Sequence, residues 1–184
     1  MTKTWDEAKV SSLLCSAFAP HIEHQRDTEQ PQANIDVLIT FDAQGVSSHP
    51  NHISLYHGAR AFLSALVRGK SGWRPPVDLY TLTSVAMPRK YSSVLDALTT
   101  VALWFASSRG AVDKDPEHPA SLVFMSQLTG AGDKGSGPPT LGTAWRAMTE
   151  AHSSQMRWFR YGWISMSRYM IINDLRLEKA AGEE

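Results

Sequence analysis

Two histidines three positions apart, His49 and His52, close the stretch IDVLITFDAQGVSSHPNH that runs from Ile35 to His52. Imidazole is the side chain that titrates near neutral pH and the commonest metal ligand, so this spacing is where chemistry is sought first. Ile35, Val37, Leu38, Ile39 and Phe41 read as a buried parallel strand, interrupted only by Asp36 and Thr40. Asp42 to Ser48 supplies turn-forming residues, Gly45 among them. Pro50 suits the first position of a helix, which puts His49 at the N-cap and His52 in the first turn. Both rings then stand near the carboxyl end of a strand, where open α/β sheets keep their sites. His21 and His24 share the spacing, but the surrounding IEHQRDTEQPQ offers no apolar wall and reads as a solvated loop. The one cysteine, Cys15, lies in an apolar helical pattern, which excludes a disulfide framework and a cysteine-based zinc site.

The elements that must position these histidines follow from hydropathy patterning. Thr4 and Glu7 have capping-box spacing ahead of an amphipathic helix expected from about Trp5 to Ala19, and the polar segment from His21 to Asn34 reads as the loop into the strand. After His52, apolar residues recur at helical spacing as far as Gly69. A second strand is expected over Val77 to Val85, which makes a βαβ unit with parallel strands. Met87 to Tyr91 breaks the pattern. Val94 to Phe105 reads as a helix or as a helix followed by a strand, SLVFMSQ from Ser121 to Gln127 as a short strand, and Gly130 to Gly142 as a Gly- and Pro-rich loop. From about Thr143 to Lys179 the sequence shows one long helical pattern, or two joined near Gly162, in which Trp145, Trp158, Phe159, Tyr161, Trp163 and Tyr169 alternate with Arg146, Arg157, Arg160 and Arg168. Such a segment is either a core helix with arginine stems reaching outward or a helix lying in a membrane interface.

Composition bounds the function classes. With 184 residues and 42% hydrophobic content, one domain spanning residues 1–184 is expected. Eighteen basic and eighteen acidic side chains cancel, so there is no general field to draw nucleic acid, and no nucleic-acid partner is expected. No run reaches the ~20 apolar residues of a membrane span, and MTKTWDEAKV carries charges where a signal peptide is apolar, so the chain is expected neither to span a membrane nor to enter the secretory route by itself.

Taken together, ITFDAQGVSSHPNHISLY, then LTSVAMPRKYSSVLD, then AMTEAHSSQMRWFRYGWISMSRYMIIND, preceded by a Trp-containing helix, resemble in order the N-acetylglucosaminylphosphatidylinositol de-N-acetylases, within the LmbE-like zinc deacetylases. The resemblance implies an α/β, Rossmann-like fold with a mostly parallel sheet and flanking helices. It also implies zinc-assisted hydrolysis of the acetamide of N-acetylglucosaminyl-phosphatidylinositol, the second step of GPI-anchor biosynthesis, at the cytoplasmic face of the endoplasmic reticulum membrane. By carry-over His52 is the zinc ligand, and His49 is the imidazole that stabilises the tetrahedral oxyanion or protonates the leaving amine. Asp42 and Asn51 orient these rings or contact sugar hydroxyls. His152 either approaches the same pocket or bonds to backbone.

The same resemblance marks what is different here. Family members carry an earlier strand ending in His-Pro-Asp-Asp, which supplies two further zinc ligands and the aspartate acting as general base. This sequence has no Asp-Asp pair, its other His-Pro, His118-Pro119, falls in a polar loop, and Ser48 stands where the family has glycine before the first histidine. On this reading the chain is N-terminally truncated relative to the family, binds zinc weakly alone and does not deacetylate by itself. The alternative is a catalytically inactive member that keeps a partner- or membrane-binding surface.

Overall fold

A computed structural model describes residues 4–22, 30–70, 72–110, 117–127 and 140–178, with the side chains of 107–110 left aside. The chain runs α1 (Glu7–Phe18), β1 (Val37–Phe41), a distorted turn α2 (Gly45–Ser48), α3 (Pro50–Leu66), β2 (Asp78–Leu82), α4 (Met87–Lys90), α5 (Ser93–Gly110), β3 (Ser121–Met125), α6 (Leu141–Thr149), α7 (Trp158–Met166) and β4 (Ile172–Leu177). The four strands among the described residues form one sheet in the order β1-β2-β4-β3 with helices beside it, an α/β fold of the Rossmann-like kind the sequence leads one to expect. The sheet is mixed. β1 and β2 pair in parallel, from Val37 opposite Asp78 to Phe41 opposite Leu82, whereas β2 and β4 pair antiparallel. The Leu177 amide on the Ala120 carbonyl and the Ser126 amide on the Ile171 carbonyl continue the antiparallel sense to β3. Residues flanking Gly130 lie largely outside the described residues, as do His24 and much of the loop before β1.

The chain divides into two compact units, one of residues 1–84, 117–121 and 175–184, the other of residues 85–116 and 122–174. The first holds the strand, loop and helix that carry the paired histidines. Its core joins Ala59, Phe62, Leu63 and Leu66 of α3 to Val77 and Leu79, with Leu14, Cys15 and Phe18 of α1 and Leu38 of β1 against it. Burying Phe62 completely contributes about 1.5–3 kcal/mol relative to leaving it in water. Helix α1 is capped by Asp6, whose carboxylate accepts from the Lys9 amide, rather than by Thr4. It crosses α3 at Gly58, where a Cβ would stand 2.3 Å from Val10 Cγ1, so only glycine permits that approach. Val37 and Ile39 are about half exposed instead of buried, because β1 is the sheet's edge strand and has one neighbour rather than two.

Tyr56 on α3 donates to Glu178 Oε1 at 2.7 Å, and Arg60 adds a 3.6 Å ion pair to the same carboxylate, which fastens α3 to the residue after β4. Burial, then the Glu178 hydrogen bond, raises the Tyr56 phenol above its ordinary 10.0. The folded state therefore favours the neutral phenol. Its contribution is complete below pH 10.0 and is lost as pH rises through the higher folded value. Urea midpoints measured from neutral to alkaline pH should fall more steeply for the native chain than for Tyr56→Phe on the alkaline limb; superimposable profiles would exclude this linkage.

The second unit departs from the expected continuous helix over residues 143–179. α6 stops at Thr149, a 3₁₀ turn covers Ser153–Gln155, α7 runs over nine residues, a second 3₁₀ turn covers Arg168–Met170, and the chain ends in β4. The polar run from Glu150 to Gln155 provides no apolar stripe to continue α6, and Ile171 and Ile172 favour the extended chain that β4 supplies. Gly162 lies within α7 and interrupts nothing. Residues 93–110 form one helix, α5, which takes in the whole of Val94–Phe105. Arg168 has no outward-reaching stem: it is fully buried, with Nε 2.6 Å from Asp96 Oδ2 and Nη2 3.0 Å from Asp174 Oδ1.

Candidate functional site

The site is assembled where β1 runs into α3. His49 is the N-cap of α3 and Pro50 opens it, as the sequence leads one to expect, so His52 falls in the first turn. The His52 ring stacks on Phe41, the last residue of β1, with centroids 3.8 Å apart and planes 11° apart. Both rings thus stand at the carboxyl end of the strand, with their own centroids 5.0 Å apart.

The connecting turn selects the tautomer of each neutral ring. Gly45 has φ +62°, and a Cβ there would lie 2.9 Å from Ile53 Cγ1 and 3.1 Å from His52 Cβ. Without a side chain, its carbonyl comes within 3.0 Å of His52 Nδ1. A carbonyl can only accept, so Nδ1 carries the proton and Nε2 of the neutral ring presents its lone pair. His49 is set the other way. The Asn51 backbone amide donates to His49 Nδ1 at 3.3 Å, which leaves the proton of the neutral ring on Nε2. Adjacent imidazoles therefore hold opposite tautomers, one presenting an electron pair and the other a proton.

Strain concentrates here. Besides Gly45, Val46 and Ser48 have positive φ, 62° and 54°, a region that side chains enter at a cost and that gathers at functional turns. Ser48 stands where the resembling family has glycine, and its left-handed backbone shows why glycine suits the position. Ser48→Gly should raise stability by up to about 1 kcal/mol, read as a higher thermal midpoint, with His49 and His52 undisturbed.

Asp42 does not bond to either imidazole among the hydrogen bonds the structure defines. Its Oδ1 accepts from the Gln44 amide at 3.1 Å and from Ser84 Oγ at 2.6 Å, and Oδ2 accepts from the Ser84 amide at 2.6 Å. Ser84 Oγ in turn accepts from the Val46 amide at 2.8 Å. Asp42 thus clasps the end of β1 to the segment after β2 and holds the strained turn. Ser84 had no role in the sequence reading, although it lies in the run LTSVAMPRKYSSVLD that carries part of the resemblance. Asn51 is half-buried, and its side-chain oxygen is enclosed without a hydrogen-bond donor, an acceptor beside the two rings. His152 belongs to the second unit, exposed ahead of the 3₁₀ turn at Ser153–Gln155. His118 bonds to Asp78, at the amino end of β2, away from the carboxyl ends that carry the site.

The zinc centre implied by the resemblance can be tested against these donors. The His52 tautomer suits a metal ligand whose second nitrogen is held by a carbonyl. Among the described residues, however, no group of three or more His, Cys, Asp and Glu side chains is placed to hold a metal ion. A catalytic zinc takes three protein ligands, so the described residues do not fit such a centre by themselves.

An α/β chain with an HxxH pair capping the helix after its edge strand is the class that fold and site define. Comparison with known proteins narrows it. The chain is 46% identical to the N-acetylglucosaminyl-phosphatidylinositol de-N-acetylase of Arthroderma benhamiae, over 97% of this chain and 56% of that protein. It is 30% identical to the bovine (Bos taurus) protein of the same name, over 93% and 51%, and 28% identical to that of Saccharomyces cerevisiae, over 95% and 54%. By sequence the chain is a homologue of part of the N-acetylglucosaminyl-phosphatidylinositol de-N-acetylases. It spans about half the length of the curated relatives it matches. No protein-family model and no solved structure matches it.

Proposed function

We propose that this chain provides the paired-imidazole part of an amide hydrolase acting on N-acetylglucosaminyl-phosphatidylinositol, releasing acetate and leaving the glucosaminyl lipid, in GPI-anchor biosynthesis at the cytoplasmic face of the endoplasmic reticulum. The observation that carries this reading is the opposed pair of tautomers. Hydrolysis adds water to the acetamide carbonyl and must then expel an amine, so it needs a donor for the developing oxyanion and a proton for the nitrogen. His49 Nε2–H is set to donate a hydrogen bond to the oxyanion, while the proton for the nitrogen comes from water or from a group outside the described residues. Asn51 Oδ1 is an acceptor for a sugar hydroxyl. Asp42, through Ser84, holds the turn that sets both rings and positions rather than reacts. His52 Nε2 is the donor we assign to zinc among the described residues, with the remaining ligands coming from outside them. Zinc, when bound in a complete site of this class, polarises the acyl oxygen and acidifies water.

A second reading, a catalytically inactive member retaining a membrane or partner surface, is favoured by one observation: among the described residues no group of three or more His, Cys, Asp and Glu side chains is placed to hold a metal ion. No helix among the described residues is long and apolar enough to cross a membrane. Contact with a bilayer surface is proposed through α7, where Trp158 is 86% exposed beside Arg157 and Arg160.

The test is a graft of this chain in place of the matching 56% of the Arthroderma benhamiae relative, with acetate release from the glycolipid as the readout. The hydrolase reading expects an active graft and an inactive isolated chain. A folded graft that releases no acetate sinks it in favour of the inactive-member reading.

A further inference from the structure

Phe41 carries a large ring that the core of its unit does not use. Among the described residues packed into that core, β1 contributes Leu38 and not Phe41. Phe41 is half-buried at the last position of β1, and its face lies against the His52 imidazole, with centroids 3.8 Å apart and planes 11° apart. Centroids that close leave little sideways offset, whereas aromatic rings left to themselves prefer offset or edge-to-face arrangements. The near face-to-face placement is therefore imposed by the backbone, which ends β1 at one ring and starts α3 at the other.

The hydrogen bond from His52 to Gly45 leaves one freedom of the imidazole open. The last torsion of a histidine is broad and roughly two-fold, so its surroundings must choose both the plane of the ring and the way its edges point. The Gly45 carbonyl, 3.0 Å from Nδ1, chooses the edge. It is a contact at a single atom, and the ring could still swing about it. His49 does not define the plane, since its own ring is tilted by 36° at 5.0 Å. Phe41 does, because a flat face 3.8 Å away blocks the sweep. We infer that Phe41 is a positioning residue: its ring sets the plane of the His52 imidazole while the Gly45 carbonyl sets its tautomer, so that Nε2 is aimed in one direction. The consequence for hydrolysis rests on the reading of the site proposed above, and the ring geometry does not.

NMR of the full chain with labelled histidine nitrogens reads the ring without turnover or metal. At a pH where the imidazoles are neutral, native His52 should show chiefly the Nδ1–H form. Phe41→Leu keeps an apolar side chain but has no flat face, so its His52 ring should leave the carbonyl part of the time and show a mixture of the two tautomers. Phe41→Tyr restores the face and should restore the single form. A merely structural role for Phe41 would lower stability in Phe41→Leu and leave the tautomer alone. In the active graft, Phe41→Leu should lower acetate release about 10–100-fold, the range for losing a partner that orients a ligating histidine, with Phe41→Tyr near native. A native chain with mixed His52 tautomers, a folded Phe41→Leu chain with the Nδ1–H form as pure as in the native one, or a folded Phe41→Tyr chain as mixed as Phe41→Leu would overturn the inference, whatever the graft does. The NMR contrast appearing as expected in a graft that releases no acetate in any variant would support the positioning role and count against the hydrolase reading alone.

Discussion

Asp96→Ala is expected to destabilise the second unit by about 3–5 kcal/mol, enough to populate its unfolded form at physiological temperature. Asp96 is 2% exposed and lies between two arginines: Arg89 Nε donates to Oδ1 at 2.6 Å, and Arg168 Nε lies 2.6 Å from Oδ2. Thr100 Oγ1 donates to Oδ2 at 3.0 Å and accepts from Arg168 Nη2 at 2.9 Å, so one hydroxyl bridges acid and base. Arg168 has no exposure at all, and its Nη1 already lacks a hydrogen-bond partner. Removing Asp96 leaves a buried guanidinium with Asp174 as its one remaining ion pair among the described residues. The cost is that of a buried charge left under-compensated, larger than the worth of the pair itself. Replacing Asp96 with leucine and Arg168 with methionine together should recover most of the loss. Denaturant unfolding of the three chains decides the matter: an Asp96→Ala chain within about 1 kcal/mol of native, or a double variant as unstable as the single, contradicts this account.

That network was invisible in the sequence, and its invisibility has a physical reason. Asp96 and Arg168 are 72 positions apart, and nothing in local periodicity couples them. α5 shows the same limit. Its buried side is Asp96, Ala97 and Thr100, while Val94, Leu95, Leu98 and Trp104 are exposed, so apolar spacing located the helix without saying which side turns inward. The break between α6 and α7 was missed because arginines and aromatics recur on both sides of a polar segment. By contrast, β1, the cap and α3 were legible because each signal is local: a β-branched run, a proline at the first helical position and a histidine before it. Burial of β1 was not, since edge or centre is decided by which strands pair, and the β2–β4 pairing joins segments about a hundred residues apart. The two histidines could be singled out from spacing. Their opposite tautomers could not, since these depend on the positive φ of Gly45 and on a backbone amide meeting a ring nitrogen. Ser84 carries the turn through bonds to Asp42, 42 positions away, with no spacing rule to announce it.

The tautomer argument separates His49 from His52 by experiment. In the active graft, His49→Asn should cut acetate release about 10²–10³-fold, the range for loss of one oxyanion donor. Asparagine is among the preferred helix N-caps, so its side-chain oxygen can take over the Asn51 amide and the start of α3 should hold. Thermal stability is then expected to stay near native, whereas His49→Ala should lose the same activity and an additional ~1 kcal/mol of stability with the cap. His52→Ala should likewise remove activity, but by a different route, with loss of tightly held zinc on elemental analysis that His49→Asn does not show. Retained zinc in His52→Ala together with zinc loss in His49→Asn would reverse the two roles. Full activity in His49→Asn would show that its helix-capping bond, and not its proton, is what the site requires.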